Sequence, residues 1–197
     1  MFPLWLQAGF WGLVGGCALI IGAMLGYFVK IPQRAIAVVM AFGAGVLISA
    51  LAFELMDEAY TTGGFDSIVS GFLGGAVVYT AANWYLAHQG AKHRSNIPEG
   101  LSSAAGMKQV GTKATYIFGI WAGIALLSGL ASLLGYTVFS HLSKEIIAAT
   151  TAVAAGGILA MISDTMIPEA FEQAHDFAGL ITVLGFLCSF ILSKLGG

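Results

Sequence analysis

Charge is scarce in this sequence of 197 residues: Asp, Glu, Lys and Arg together make up 9%, whereas apolar residues make up 58%. Soluble domains carry about 25% charged residues, so a composition this poor in charge cannot cover a surface that faces water. The mean hydropathy of +0.87 is correspondingly high. The sequence therefore predicts an integral membrane protein whose main partner is the lipid bilayer.

A basic excess is also lacking, because eight Lys and Arg residues stand against ten Asp and Glu residues, for a formal charge of -2. Nucleic-acid binding relies on clustered positive charge, and the basic residues here are scattered, which excludes a nucleic-acid partner. Cys17 and Cys188 lie alone in apolar runs. Two isolated cysteines form neither a disulfide framework nor a metal knuckle.

Catalytic patterns are missing as well. The sequence contains no HExxH motif, no paired catalytic Ser and Lys, and no arrangement of Ser, His and Asp of the kind that hydrolases use. We therefore expect no enzymatic activity.

Six apolar stretches approach or exceed the roughly 20 residues that an α-helix needs to cross a bilayer. Backbone groups in lipid must be hydrogen-bonded internally, so the sequence predicts an all-α polytopic membrane protein with about six transmembrane helices. The stretches run from about Leu4 to Val29, Ala35 to Phe53, Ser67 to Ala87, Ala114 to Phe139, Ile146 to Ser163 and Phe177 to Ser193.

Basic residues are divided unequally between the two sides of the membrane in this arrangement. One side has Lys144 and Lys194 alone, and the other has Lys30, Arg34, Lys92, Arg94, Lys108 and Lys113. Because cytoplasmic loops carry the excess of Lys and Arg, the side with six is predicted to be cytoplasmic, which places both termini outside.

The sequence repeats itself after about 110 residues. The segment from Met40 to Tyr60 matches that from Thr151 to Phe171, since both are small-residue, apolar stretches that end in Glu-Ala and an aromatic residue. Trp11 likewise matches Trp121. A chance match within an apolar sequence of low complexity is the alternative.

The third and sixth predicted helices share a Gly-Phe pair, at Gly71-Phe72 and Gly185-Phe186, so the repeated unit is three helices. We predict a first three-helix repeat at residues 1–87, a cytoplasmic loop with a remnant metal-site motif at 88–113, and a second three-helix repeat at 114–197. An odd number of crossings turns the second copy over, so the repeats are predicted to be inverted, as in many secondary transporters.

Glycine is abundant, with 27 residues. Small residues let membrane helices approach closely, so helix packing is the ordinary explanation for Gly43, Gly45, Gly71, Gly74 and Gly75. Sliding or hinge surfaces of a transporter are the alternative.

Ionisable side chains within apolar stretches are costly unless they are paired, hydrated or bound to an ion, which makes each a candidate functional residue. Glu54, Asp57 and Glu58 are spaced i, i+3 and i+4, so they share a face at the outer end of the second predicted helix. A bound cation would relieve their mutual repulsion. A hydrated helix end at the membrane interface is the alternative.

Asp164 lies four residues before Pro168 in the fifth predicted helix. Because proline has no N–H, the Asp164 carbonyl is left free and could bind a cation together with the carboxylate. From Glu169 to Asp176 the chain remains polar and includes His175. We expect that part to be a loop or an interfacial segment with a solvated polar face.

The polar segment from His88 to Lys113 contains another candidate metal site. Asn96 and Glu99 are three positions apart with Pro98 between them, and His93 precedes Asn96 by three. On a helix they would offer an amide oxygen, a carboxylate and an imidazole to one divalent cation. The same pattern also suits a surface turn before a helix start.

Four segments together resemble the ZIP (Zrt/Irt-like) metal-ion transporters, in particular the short bacterial branch. They are FGAGVLISALAFELMDEA, SNIPEGLSSAAG, GLASLLGY, and ILAMISDTMIPEAFEQAH with GLITVLGF after it. The resemblance implies an importer in the bacterial plasma membrane that carries a divalent metal, usually zinc, as substrate and not as a prosthetic group. It also implies inverted three-helix repeats, outside termini and an elevator-like movement of one helix bundle against another.

The chain departs from the eight helices of that family, which are arranged as three, two and three. It passes from AHQGAKHR at the end of the third helix directly to SNIPEG, which resembles the second half of the family's fifth helix. The fourth helix and the first half of the fifth therefore have no counterpart. Asn96 and Glu99 match the family's Asn and acidic ligand positions, whereas Ser95 stands where many members have His.

Two functions from different classes follow. The first is a metal permease, assisted by a second subunit if the protein is a homodimer. Its ligands would be drawn from His93, Asn96, Glu99, Glu54, Asp57 and Asp164. The second is a degenerate ZIP-derived protein or membrane scaffold that folds without transporting. Zinc follows from the resemblance alone, since amide and carboxylate oxygens would also suit manganese, iron or cobalt.

Overall fold

The computed structural model describes residues 3–88, 104, 106–108 and 110–196. Within these ranges the chain is almost entirely helical and has no strand, so the all-α prediction is confirmed. Four helical segments are long and apolar enough to cross a membrane: Leu4–Phe28, Gln33–Leu86, Ala114–Phe139 and Lys144–Leu195. Two of them, with 54 and 52 residues, have more than twice the length of one crossing. These helices are compatible with a membrane-embedded protein.

The described chain forms the following α-helices: α1 Leu4–Phe28, α2 Gln33–Ala50, α3 Met56–His88, α4 Ala114–Phe139, α5 Lys144–Met161, α6 Ile167–Ala174 and α7 Ala178–Gly196. A π-helical turn, Leu51–Leu55, joins α2 to α3, and another, Ile162–Met166, joins α5 to α6. A 3-10 turn at His175–Phe177 precedes α7. Inside α3 the helix breaks at Gly64, where φ is 74°.

Small side chains fill the interior, and large apolar ones lie on the surface. Ala41, Ala44 and Ala152 are fully buried, whereas Trp11 and Leu127 are about two-thirds exposed, at 68% and 66%. Without water to drive apolar side chains together, membrane helices associate through small residues that allow close packing, and their large side chains face lipid. This distribution is therefore typical of helices surrounded by a bilayer.

Two compact units divide the described helices. The first comprises Met1–Ile31 and Ile97–Leu142, and the second comprises Pro32–Asn96 and Ser143–Gly197. Each unit thus takes helices from both halves of the chain: the first contains α1 and α4, and the second contains α2, α3 and α5 to α7.

In the first unit, α1 and α4 pack in antiparallel directions. The Ser132 hydroxyl near the end of α4 donates a hydrogen bond to the Ala8 carbonyl near the start of α1, at 2.8 Å. At the opposite end, the rings of Tyr27 and Phe118 lie 5.5 Å apart. The Lys108 ammonium donates to the Tyr27 carbonyl and lies 4.6 Å from the centre of its ring. Lys108 therefore caps the C-terminus of α1, where carbonyls lack helical partners.

In the second unit, α2 packs along α7, and α3 packs along α5. Glycines make the closest approaches: a methyl group at Gly185 would overlap the Phe42 carbonyl, and one at Gly75 would overlap the Val153 carbonyl. The helices of each pair run in the same direction: Arg34 at the start of α2 shares a pocket with Asp176 before α7, and Phe53 beyond the end of α2 packs on Phe190 in the last part of α7. In the other pair, Gly71 and then Gly75 of α3 meet Ala149 and then Val153 of α5. Packing therefore explains Gly75, and it explains Gly45 and Gly71 in the same way, whereas a methyl at Gly74 would meet open space.

The pair of α2 and α7 runs antiparallel to the pair of α3 and α5. From α2 the helical path continues through the π-helical turn to Gly63, where a methyl group would overlap the side chain of Ala148 near the start of α5. The far end of the path from α2 therefore lies where α5 begins, so α2 and α5 are antiparallel.

Element bounds in the second unit recur after 111 residues. The helices α2 and α5 have 18 residues each and begin at Gln33 and Lys144, and the π-helical turns have five residues each and begin at Leu51 and Ile162. The break at Gly64 corresponds in the same way to His175, the one described non-glycine residue with positive φ. The backbone thus repeats in step with the sequence match from Met40 to Tyr60.

Candidate functional site

Each π-helical turn carries one of the carboxylates that the sequence singled out. Glu54 lies in the first turn and Asp164 in the second. Each turn closes with a hydrogen bond to a carbonyl five residues back, from Met56 to Leu51 and from Ile167 to Ile162. Such turns are rare and often occur at functional sites. Each of these two carboxylates thus lies within a backbone distortion of the kind that functional sites use.

The three neighbouring carboxylates of Glu54, Asp57 and Glu58 remain exposed on successive helical turns. Their predicted spacing is altered because Glu54 lies in the wider π-helical turn, whereas Asp57 and Glu58 lie in the first turn of α3. The Thr61 hydroxyl donates to the Asp57 carbonyl at 3.0 Å, so the helix continues past the cluster. The arrangement also fits the alternative of a hydrated helix end.

The position of Pro168 differs from that of a proline within a continuous helix. It lies in the first turn of α6, directly after the π-helical turn, where a missing N–H is tolerated. The corresponding position in the first repeat is Asp57, and a π-helical turn precedes it as well. Proline therefore does not cause the distortion, and the free Asp164 carbonyl stays a prediction.

Replacing Pro168 with Ala is expected to change the free energy of unfolding by less than about 1 kcal/mol, because the first turn of a helix tolerates both residues. The restored amide can bond the Asp164 carbonyl, so we expect any metal response to fall more than stability does. Thermal unfolding in detergent and metal binding, measured on the same preparation, separate the two effects. Loss of the folded protein from the membrane would instead show that the proline is structurally required.

Of the two alternatives predicted after Glu169, the loop does not apply up to Ala174, because α6 extends to that residue, and the interfacial segment with a solvated polar face stays open. Its Glu169 is half-buried, its Glu172 is exposed, and its Ala170 is buried. His175 then ends the helix with φ 47° and ψ -128°, a conformation that favours glycine. The hydropathy of the sequence does not indicate this helix break. Aligning the two matching segments of the sequence places His175 opposite Gly64, and a glycine at that position indicates a possible break.

The predicted metal ligands are not brought together in the described part of the chain. No group of three or more His, Cys, Asp or Glu side chains there could hold a metal ion, so Glu54, Asp57 and Asp164 do not form one such group. His93, Asn96 and Glu99 lie outside the described residues, and the loop site remains a prediction.

A buried tryptophan in the first unit was not singled out as a functional residue by the sequence. Trp121 is 8% exposed and packs with Ala23, Ala104 and Ile117. Its indole N–H has no hydrogen-bond partner among the described residues. Buried polar atoms normally have a partner, so this N–H is an exception within the described part of the chain.

No family model, curated protein or solved structure matches this chain. The likeness to ZIP transporters therefore depends on the sequence motifs alone.

Proposed function

We propose that the protein is a divalent-metal permease of the ZIP type, with zinc as its substrate. The motifs FGAGVLISALAFELMDEA and SNIPEGLSSAAG support this assignment, because they occur in the family's order and carry carboxylate and amide ligands. The fold adds long apolar helices that are compatible with a membrane-embedded protein. Metal would be carried as substrate and would not stay bound as a cofactor.

The observation that carries the proposal is the antiparallel repeat of the second unit. Secondary transporters are often built from inverted repeats whose helices are interrupted at membrane depth. The paths beginning with α2 and α5 run in opposite directions, and each is interrupted by a π-helical turn that contains a carboxylate. Six membrane crossings in two inverted three-helix repeats account for this pattern and for the antiparallel packing of α1 with α4.

The proposed orientation depends on the division of basic residues along the whole sequence. The helix starts of the second unit do not add to it, because Arg34 near the start of α2 is matched by Lys144 at the start of α5, where Glu145 stands beside the lysine. Six basic residues fall on one side of the six predicted crossings and two on the other. Positive residues favour the cytoplasmic side, so α2 would begin in the cytoplasm and both termini would lie outside.

The division into two units would also allow the elevator-like movement that the resemblance to ZIP transporters implies. The described helices form two compact units, one of α1 and α4 and one of α2, α3 and α5 to α7. A transporter that moves one bundle against another requires bundles that each hold together independently. Residues of the loop at His93, Asn96 and Glu99 would bind the metal, assisted by Glu54, Asp57 and Asp164 or by a second subunit.

A membrane scaffold derived from the family is the second candidate. The observation that favours it is the departure from the family's pattern, in which the fourth helix and half of the fifth contribute to the metal site. A protein without that contribution can still fold, because the repeat contacts of the second unit involve other helices.

Metal uptake into vesicles separates the two candidates. The full chain is reconstituted, and zinc or manganese entry is followed with a fluorescent indicator inside the vesicles. Uptake above that of empty vesicles, saturating with metal concentration, would support a permease. Entry equal to that of empty vesicles, with correctly folded protein present, would contradict it and leave the scaffold.

The orientation is tested by labelling single cysteines in a chain in which Cys17 and Cys188 are replaced by Ser. A membrane-impermeant thiol reagent should label a cysteine introduced at Gly197 in intact cells and leave one at Gly90 unlabelled. This follows from the six-to-two division of basic residues. Labelling at Gly90 with protection at Gly197 would show the opposite orientation, and permeabilised cells give the control in which both react.

A further inference from the structure

A pocket of about 470 Å³ lies at the end of the second unit where α2 and α7 begin. Arg34 and Val38 line it from α2, His175 and Asp176 line it from the turn before α7, and Ile181 lines it from α7 itself. The permease proposed above makes no use of this pocket, whose lining includes no residue of either π-helical turn.

The pocket combines opposite charges that do not neutralise each other by direct contact. Arg34 is exposed, and no salt bridge joins it to Asp176 or to another carboxylate within the described ranges. A guanidinium binds phosphate through two parallel hydrogen bonds, whereas a carboxylate accepts hydrogen bonds from an ammonium group. The charges therefore match a zwitterion that carries both groups.

The rest of the lining is apolar. Val38 and Ile181 form this wall together with Phe177, and Val38 is 42% exposed. The pocket is located at the end of long apolar helices, where a membrane protein meets lipid headgroups. A ligand with a zwitterionic head and an apolar tail fits a pocket that has charged residues on one side and an apolar wall on the other.

We propose that this pocket binds an aminophospholipid, with the phosphate on the Arg34 guanidinium, the primary ammonium on the Asp176 carboxylate and an acyl chain along the apolar wall. The imidazole of His175 is a further donor to the phosphate. His175 holds a backbone conformation that favours glycine, and the corresponding residue of the other repeat is Gly64. A side chain retained at such a position at an energetic cost points to a use for that side chain.

Lipid binding to the purified full chain in detergent tests the proposal. Phosphatidylethanolamine, phosphatidylglycerol and phosphatidylcholine with identical acyl chains are titrated, and bound lipid is counted by native mass spectrometry. Phosphatidylethanolamine should bind about tenfold more tightly than the others, since phosphatidylglycerol has no cation for Asp176 and choline has no N–H to donate. Equal affinity for all three lipids would overturn the proposal.

Charge variants identify the contacts. Arg34→Gln should lower the affinity for phosphatidylethanolamine about tenfold, whereas Lys30→Gln, the same charge change outside the pocket lining, should alter it less than about twofold. Asp176→Asn should abolish the preference for phosphatidylethanolamine over phosphatidylglycerol. Equal losses in Arg34→Gln and Lys30→Gln would show a general surface effect and contradict the site.

Two substitutions that add a bulky side chain test the same lipid site without changing its charge. Val38→Trp should block the apolar wall and reduce binding, whereas Val39→Trp, at an exposed position that does not line the pocket, should not. Soluble phosphoethanolamine distinguishes the source of the headgroup. Binding of that compound as tightly as of the intact lipid would overturn the assignment to a lipid.

Discussion

The Gly156→Ala variant is expected to unfold in detergent at a temperature at which the parent protein remains folded. A methyl group at Gly156 would overlap the Phe72 carbonyl, so α3 and α5 would have to separate along their whole contact. Overpacking of this kind costs about 3 kcal/mol when the obstacle is backbone that cannot rotate away. The measurement is the helical signal on heating, followed by circular dichroism.

The adjacent residue provides the matched control. A methyl group at Gly157 would lie 3.7 Å from the Gly75 carbonyl oxygen, which is an ordinary contact. Gly157→Ala should therefore unfold close to the parent temperature, or slightly above it because Ala favours helix over Gly. Gly75→Ala and Gly74→Ala form a second pair with the same contrast on the opposite helix. If Gly156→Ala and Gly157→Ala unfolded together, the close approach of α3 and α5 would be wrong.

The ends of several helices could be predicted from hydropathy alone. The first predicted stretch begins at Leu4 as α1 does, and the fourth, from Ala114 to Phe139, has the same bounds as α4. Both are uninterrupted apolar runs between polar or proline-containing segments. In such runs the apolar length determines the helix, so sequence and structure agree.

The chain after Phe53 could not be predicted in the same way. The sequence suggested that the second helix ends among the carboxylates, but the helical path continues through a π-helical turn to Gly63. Exposed carboxylates do not end a helix, and a π-helical turn adds one residue without breaking the path. Hydropathy therefore marks where lipid contact ends, whereas backbone geometry at Gly64 marks where the helix ends.

Packing partners were also beyond the reach of a local pattern. The sequence matched Gly71-Phe72 with Gly185-Phe186, but the contacts make Gly75 the equivalent of Gly185. Gly75 faces the Val153 carbonyl and Gly185 faces the Phe42 carbonyl, and these carbonyls are themselves 111 residues apart. Whether a glycine contacts a neighbouring helix depends on residues that are distant in the sequence. The glycines of one apolar run therefore cannot be distinguished by their local sequence.

For the candidate site, the sequence supplied the carboxylates but not their surroundings. Glu54 and Asp164 stood out because charge is rare in apolar stretches, and both lie in π-helical turns. Proline is the sequence signal that would mark such a turn, and it follows only the second one. The first turn forms without a proline, so no sequence signal common to both turns predicts them. The pocket beside Arg34 and His175 requires the start of α2 and the start of α7 to meet, which no local pattern reveals.

Replacing Glu99 with Ala is expected to abolish binding of divalent metal, which would be the largest functional effect of a single substitution in this chain. At the proposed loop site, Asn96 and Glu99 would supply two side-chain ligands, and a divalent ion that prefers four or more would keep water in the remaining positions. Such an ion would be held weakly, and the carboxylate would supply the only negative charge of the pair. Glu172→Ala, which removes an exposed carboxylate from α6, is the matched control and should leave binding unchanged.

The choice of metal tests the role of the imidazole at the same site. His93→Ala removes a neutral ligand, so binding of zinc, which favours imidazole, should weaken, whereas binding of manganese should change little. Calorimetric titration of both metals into each purified variant in detergent measures these differences. Unchanged binding in Glu99→Ala would mean that the SNIPEG segment holds no metal. The carboxylates of Glu54 and Asp164 would then be the remaining candidates, because each lies in a π-helical turn, a distortion that is frequent at functional sites.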